Sequence, residues 1–131
     1  MNKYIYLVML CTCVLLHGCG RDTEPKLLGD FYEDAGIEEV DKIILLDGST
    51  GETKVMEEHG EIEEFLSLIE DVVFTPQANQ EERDGILYGI RLFDGEKELN
   101  FSLNHIDGVY YDTEPAIFPL VDGYYKRLDD W

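Results

Sequence analysis

Positive charge is scarce in this sequence: 10 Lys and Arg stand against 29 Asp and Glu in 131 residues, a formal net charge of −19. Nucleic-acid affinity depends on Lys and Arg neutralising phosphates, so that class of partner is excluded. Cysteine is scarce as well, with three in the chain, and Cys11 and Cys13 both fall in the apolar N-terminal stretch. That stretch, Tyr4 to Leu16, would form a helix about 20 Å long against a hydrocarbon core of about 30 Å, too short for a comfortable permanent span. Gly-x-Ser-x-Gly elbows, Gly-rich phosphate loops and His-Glu-x-x-His pairs are all missing, so no known catalytic or metal signature is present. What remains is an ordinary globular composition, 44% hydrophobic and 11% aromatic. It argues for one small domain and against wholesale disorder, collagen or coiled coil.

The N-terminus reads as a secretory signal: Lys3, then the uncharged Tyr4 to Leu16, then small residues ahead of a cleavage point. Leu16-His17-Gly18-Cys19 resembles the lipobox of bacterial lipoproteins, with Leu16, Gly18 and Cys19 on the pattern and His17 where a small or aliphatic residue is usual. The resemblance covers about twenty residues. It implies that residues 1–18 are removed as a lipoprotein signal peptide and that Cys19 carries a thioether-linked diacylglyceryl group. The protein would then sit at the cell membrane, lipid-anchored on the extracytoplasmic face. Two or more acyl chains, at roughly 0.8 kcal/mol per buried CH₂, hold a soluble domain on a bilayer where one does not. Cys11 and Cys13 leave with the signal, so the exported part keeps Cys19 alone and has neither a disulfide nor a second thiol for catalysis or metal binding.

Residues 19–36 are mostly polar and acidic and read as the lipidated Cys and an acidic tether, although Leu27, Leu28, Phe31 and Tyr32 are spaced to form a short turn on the domain. A flexible linker of this kind reaches about 15 to 25 Å. Residues 37–131 are expected to form a single α+β domain, an antiparallel sheet of hairpins with two packed helices. Ile43-Ile44-Leu45-Leu46 before Asp47-Gly48-Ser49-Thr50-Gly51 predicts a buried strand and a turn, with its hairpin partner over Thr53 to Glu57. Ile62, Phe65, Leu66 and Ile69 predict the first helix, with Glu61, Glu63 and Glu64 at its positive end. Val72 to Thr75 predicts a strand ended by Pro76, and Gln77 to Asp84 an exposed loop. Gly85 to Phe93 alternates, with Ile86, Tyr88, Ile90 and Leu92 on one face. Asp94-Gly95 turns it into Glu98 to Leu103, and Asp107-Gly108 turns again into Val109-Tyr110-Tyr111, a three-stranded meander. Ile117, Leu120, Val121, Tyr124, Tyr125 and Leu128 predict a C-terminal helix, with Thr113 or its neighbours to start it, Pro119 in or before its first turn and Lys126-Arg127 at its negative end.

Among candidate sites, the acidic stretch from Asp47 to Glu58 fails the calcium-loop pattern, because Gly51 and Glu52 occupy positions that need a ligand and a glycine. His59 and His105 have no metal-ligand spacing, so no metal, cofactor or catalytic residue is assigned. Tyr110, Tyr111 and Trp131 form a possible binding surface, since Tyr and Trp are favoured at recognition sites. Adjacent residues of a strand face opposite sides, so one of the two tyrosines is expected to be exposed. The expected function is a non-enzymatic binding or interaction domain at the cell envelope, resembling in architecture the small uncharacterised lipoproteins of Gram-positive bacteria. Its partners would be the membrane, through acyl chains on Cys19, and a basic envelope or secreted protein drawn by the acidic charge. The alternative is an envelope-associated enzyme or enzyme inhibitor. A pocket holding Arg91, His105 and a carboxylate together would favour catalysis.

Overall fold

The structure, a computed structural model, describes residues 24–83 and 85–129. Along the chain these form α1 (Leu28–Ala35), β1 (Lys42–Asp47), β2 (Thr53–Met56), α2 (His59–Ile69), β3 (Val73–Pro76), β4 (Tyr88–Asp94), β5 (Lys97–Ser102), β6 (His105–Ile106), β7 (Val109–Glu114) and α3 (Ile117–Leu128). The strands make one sheet in the order β2-β1-β4-β5-β6-β7-β3, with every neighbouring pair antiparallel. The α+β class expected from the sequence is the one observed, with one helix more than the two expected.

Period-two patterning decides which face of the sheet is dry. Ile43 and Leu45 of β1, Ile90 and Leu92 of β4, and Leu99 and Phe101 of β5 are buried, and they share one core cluster with residues of all three helices. From the helices come Ile62, Phe65 and Ile69 of α2 and Ile117, Val121, Tyr124 and Tyr125 of α3. These are the apolar stripes that helical spacing predicts. Pro119 sits in the first turn of α3, where its missing N–H breaks no bond, and the Thr113 hydroxyl accepts from the Ile117 N–H at 3.1 Å. Lys126 and Arg127 occupy the last turn.

Three expectations are corrected. The fold starts well before residue 37: α1 inserts Leu28 and Phe31 into the core, and Phe31 meets Phe74 and Tyr111 edge-on at 5.6 Å each. Leu28 and Phe31, one turn apart on one helical face, bury apolar surface that a solvated tether would leave in water. Upstream of α1, Lys26 forms a two-bond bridge with Phe74, on the side of β3 away from β7. Second, β4 begins at Tyr88 rather than Gly85, and Ile86 and Leu87 are exposed. Third, the meander has four strands, because His105–Ile106 pairs with both β5 and β7. Asp107 and Gly108, both at positive φ (51° and 79°), make the two-residue turn that follows.

Candidate functional site

The face of the sheet away from the helices carries a straight cross-strand row: Thr53, Leu46, Gly89, Ser102, His105 and Tyr110, each the register partner of the next. Residues 77–83 and 85–87 run over this face as a strap. At one end the Gln77 N–H donates to the Tyr110 carbonyl at 2.9 Å. At the other the Gly48 N–H donates to the Leu87 carbonyl, also at 2.9 Å. Gly48 is required there, since a Cβ would lie 1.9 Å from the Ile86 carbonyl oxygen.

Tyr110 is the post to which the strap is tied. The Gln80 carboxamide embraces its peptide unit, accepting from the Tyr110 N–H at 2.8 Å and donating to its carbonyl at 2.9 Å. The Tyr110 hydroxyl accepts from the Arg83 N–H at 2.9 Å. The Arg83 guanidinium lies 4.6 Å from the ring centroid and is itself held by the Gln77 side chain at 2.7 Å. His105 stacks on the same ring at 4.2 Å, with the planes 14° apart. Tyr110 is thus 8% exposed and yet lies outside the core cluster, whereas Tyr111, 4% exposed, is in it. The expectation that one of the pair faces solvent is therefore corrected. The strap covers the side that strand alternation assigned to water. Trp131 and Cys19 lie outside the described residues, as do residues 1–18, read from the sequence as a signal peptide.

Between the strap and β5–β7 lies a cleft of about 680 Å³, bordered by Arg83, Ile86, Leu87, Ser102, Asn104 and His105. Among the described residues, the side chains of Ser102, Asn104 and His105 have no hydrogen-bond partner. A hydroxyl, a carboxamide and an imidazole therefore converge on the cleft with their bonding capacity unused. Its rim is apolar: Ile86 (45% exposed) and Leu87 (63%) border it, and Leu87 continues into an adjoining groove with Phe118 (41%). These are three of the five large apolar side chains that the described fold exposes, gathered at one place. An apolar wall with a few convergent polar groups is the usual make-up of a ligand site.

On the other side of Ile86 a groove of about 470 Å³ shares Ser102 and His105 and adds Arg91 and Asp107. Arg91, His105 and a carboxylate do come together here. Arg91 is occupied, donating to Glu98 at 2.7 Å, a bond that holds its proton more firmly than usual. No hydrogen bond joins His105 to Ser102 or Asp107 among the described residues, so the geometry lacks an oriented nucleophile–base pair. Elsewhere, the Asp47 carboxylate accepts from the Ser49 N–H at 2.8 Å and its hydroxyl at 2.6 Å, which makes the acidic stretch a closed hairpin turn. Those bonds hold Asp47 below the usual carboxylate range. No group of three or more His, Cys, Asp or Glu among the described residues is placed to hold a metal, and no described helix is long and apolar enough to cross a membrane.

Sequence reasoning located Tyr110 but missed Gln80, Arg83, Ser102 and Asn104. Gln80 and Arg83 lie in a polar run that reads as a solvated loop, and the only hint of its course is Gly48, at a position whose need for glycine is invisible until Ile86 lies above it. No protein-family model matches this chain, and no curated protein or solved structure matches it either.

Proposed function

We propose that this chain is a lipid-anchored extracytoplasmic protein, held at the membrane by acyl chains on Cys19, whose domain binds a partner at the strap-edged cleft. The convergence of Ser102, Asn104 and His105 with the exposed Ile86 and Leu87 carries the binding half of this reading. The anchor half rests on Leu16-His17-Gly18-Cys19 and on the uncharged stretch before it. Seven residue steps separate Cys19 from Lys26, which at about 3.5 Å each is a reach of at most about 25 Å. With 29 acidic residues the chain attracts basic envelope or secreted proteins over a Debye length of about 10 Å at 0.1 M salt.

The two halves fail separately. Labelled fatty acid is expected in the native protein and absent from Cys19→Ser, which should also leave the membrane fraction; incorporation unaffected by the substitution would overturn the anchor. Pull-down from a membrane extract at low salt is expected to retain a partner that Leu87→Glu or His105→Ala loses at least tenfold. Equal retention by the variants would remove the cleft from the reading.

A second reading, an envelope-associated enzyme or enzyme inhibitor, is favoured by the meeting of Arg91, His105 and Asp107 beside Ser102 in one groove. Covalent labelling of Ser102 by a serine-directed phosphonate probe, lost in His105→Ala, would move the assignment to catalysis.

A further inference from the structure

The two edges of the sheet are finished differently. At β3, the Gln77 N–H bonded to the Tyr110 carbonyl fixes which residues face β7, so that Phe74 and Pro76 face outward. That edge is closed: Lys26 takes both backbone groups of Phe74, and Pro76 has no N–H to offer. At β2 the same alternation runs from the Asp47 N–H bonded to the Glu52 carbonyl at 2.9 Å. Lys54 and Met56 then turn their backbone groups to β1, and Thr53 and Val55 turn theirs away. Nothing among the described residues covers them, and the Val55 side chain is 52% exposed.

Natural sheets usually guard such an edge with an outward lysine, a proline or a bulge. Here Lys54 is spent on the other side, its ammonium bonded to the Tyr125 carbonyl and the Asp129 carboxylate. The guard is acidic charge instead. Glu52 precedes the strand and Glu57 and Glu58 follow it, all exposed. Negative charge at the edge of a −19 protein repels a second copy of the same edge. It does not repel a cationic strand.

We infer that β2 is a docking edge for an extended, Lys- or Arg-rich segment of a partner protein, which adds to the sheet as an eighth strand through the backbone groups of Thr53 and Val55. Main-chain bonds would supply affinity, alternate side chains would meet Val55 on the outer face, and Glu52, Glu57 and Glu58 would select the charge. The inference needs neither the anchor nor the cleft.

The test uses the full chain in detergent and a labelled peptide of alternating Lys and Val. Fluorescence anisotropy is expected to report binding, and hydrogen exchange at the Thr53 and Val55 amides is expected to slow when the peptide is added. Val55→Pro removes an outward N–H that no ladder bond uses, so binding should fall at least tenfold, while Val55→Thr should bind as the native protein does. If Val55→Pro fails to fold, as judged by circular dichroism, the exchange result on the native chain decides. Unchanged exchange at both amides would overturn the inference. So would equal binding of a Lys peptide of the same charge interrupted by prolines, or self-association of the chain through this edge in sedimentation.

Discussion

Tyr125 is 4% exposed, and its hydroxyl is buried without a hydrogen-bond partner. The ring is well used, packed 5.2 Å from Tyr88 and 3.9 Å from the Lys54 ammonium. Burial raises the phenol's pKa, so it stays neutral and simply unsatisfied. Leaving a buried polar group unpaired costs about 1–3 kcal/mol. Tyr125→Phe keeps the ring and removes the orphan, so it is expected to raise stability by about 1 kcal/mol, read as a higher urea midpoint with an unchanged slope. A lower midpoint would mean that the hydroxyl has a partner in solution. At this scale the sequence was a partial guide. It placed Tyr124 and Tyr125 on the buried stripe of a helix, because i, i+3, i+4 spacing is local. It could not say that one hydroxyl bonds the Glu61 carbonyl and the other bonds nothing, because those partners belong to another helix.

At the scale of elements, the strap is the feature that joins the two ends of the outer face. Its contact with the β1–β2 hairpin leaves no room at Gly48. Gly48→Ala is expected to push residues 85–87 off the hairpin and break the Gly48–Leu87 bond, costing about 1–3 kcal/mol as overpacking does. Hydrogen exchange would check this: the Gly48-position amide should lose protection, while amides of β5 and α2 keep theirs. If the strap frames the cleft as proposed, the same variant weakens partner capture. The hairpins were legible beforehand, since Asp94-Gly95 and Asp107-Gly108 between alternating runs are strong local signals. The start of β4 was not. Ile86 continues the apolar alternation of Tyr88, Ile90 and Leu92, and only its place over Leu46 and Gly89 takes it out of the ladder. Helix α1 was read as a short turn at the end of a tether for a related reason: Leu28 and Phe31 gain their burial from Phe74 and Tyr111, far along the chain.

At the scale of the whole molecule, acidity is the dominant property, and several carboxylates are put to structural use. Asp94 accepts from the Glu38 and Glu39 N–H groups at 2.9 and 3.2 Å, which clips the segment before β1 to the β4–β5 turn, and these bonds hold its pKa below the usual value. Asp122 is lowered by Lys126 and then by the Tyr88 hydroxyl, and Asp47 by Ser49. A carboxylate lowered by folding contributes stability above its unfolded pKa of about 3.9 and loses it as pH falls through the folded value. Asp94→Asn is therefore expected to be less stable than the native protein at pH 6, with the gap closing toward pH 3. Urea midpoints at both pH values check this, and a gap that widened in acid would contradict it.

The division between what could be read early and what could not follows the range of the interactions. The sequence by itself determined the α+β class, the existence of the buried strand β1, the apolar stripes of α2 and α3, the hairpin turns and the acidic charge. Each depends on residues within a turn or two of one another, where the periods of helix and strand operate. Tertiary structure alone decided the strand order, which edge is closed and which is open, the course of residues 77–83 and 85–87 and the burial of Tyr110. Those depend on Lys26 meeting Phe74, Gly48 meeting Leu87 and Gln80 meeting Tyr110, pairs joined by packing rather than by any local pattern.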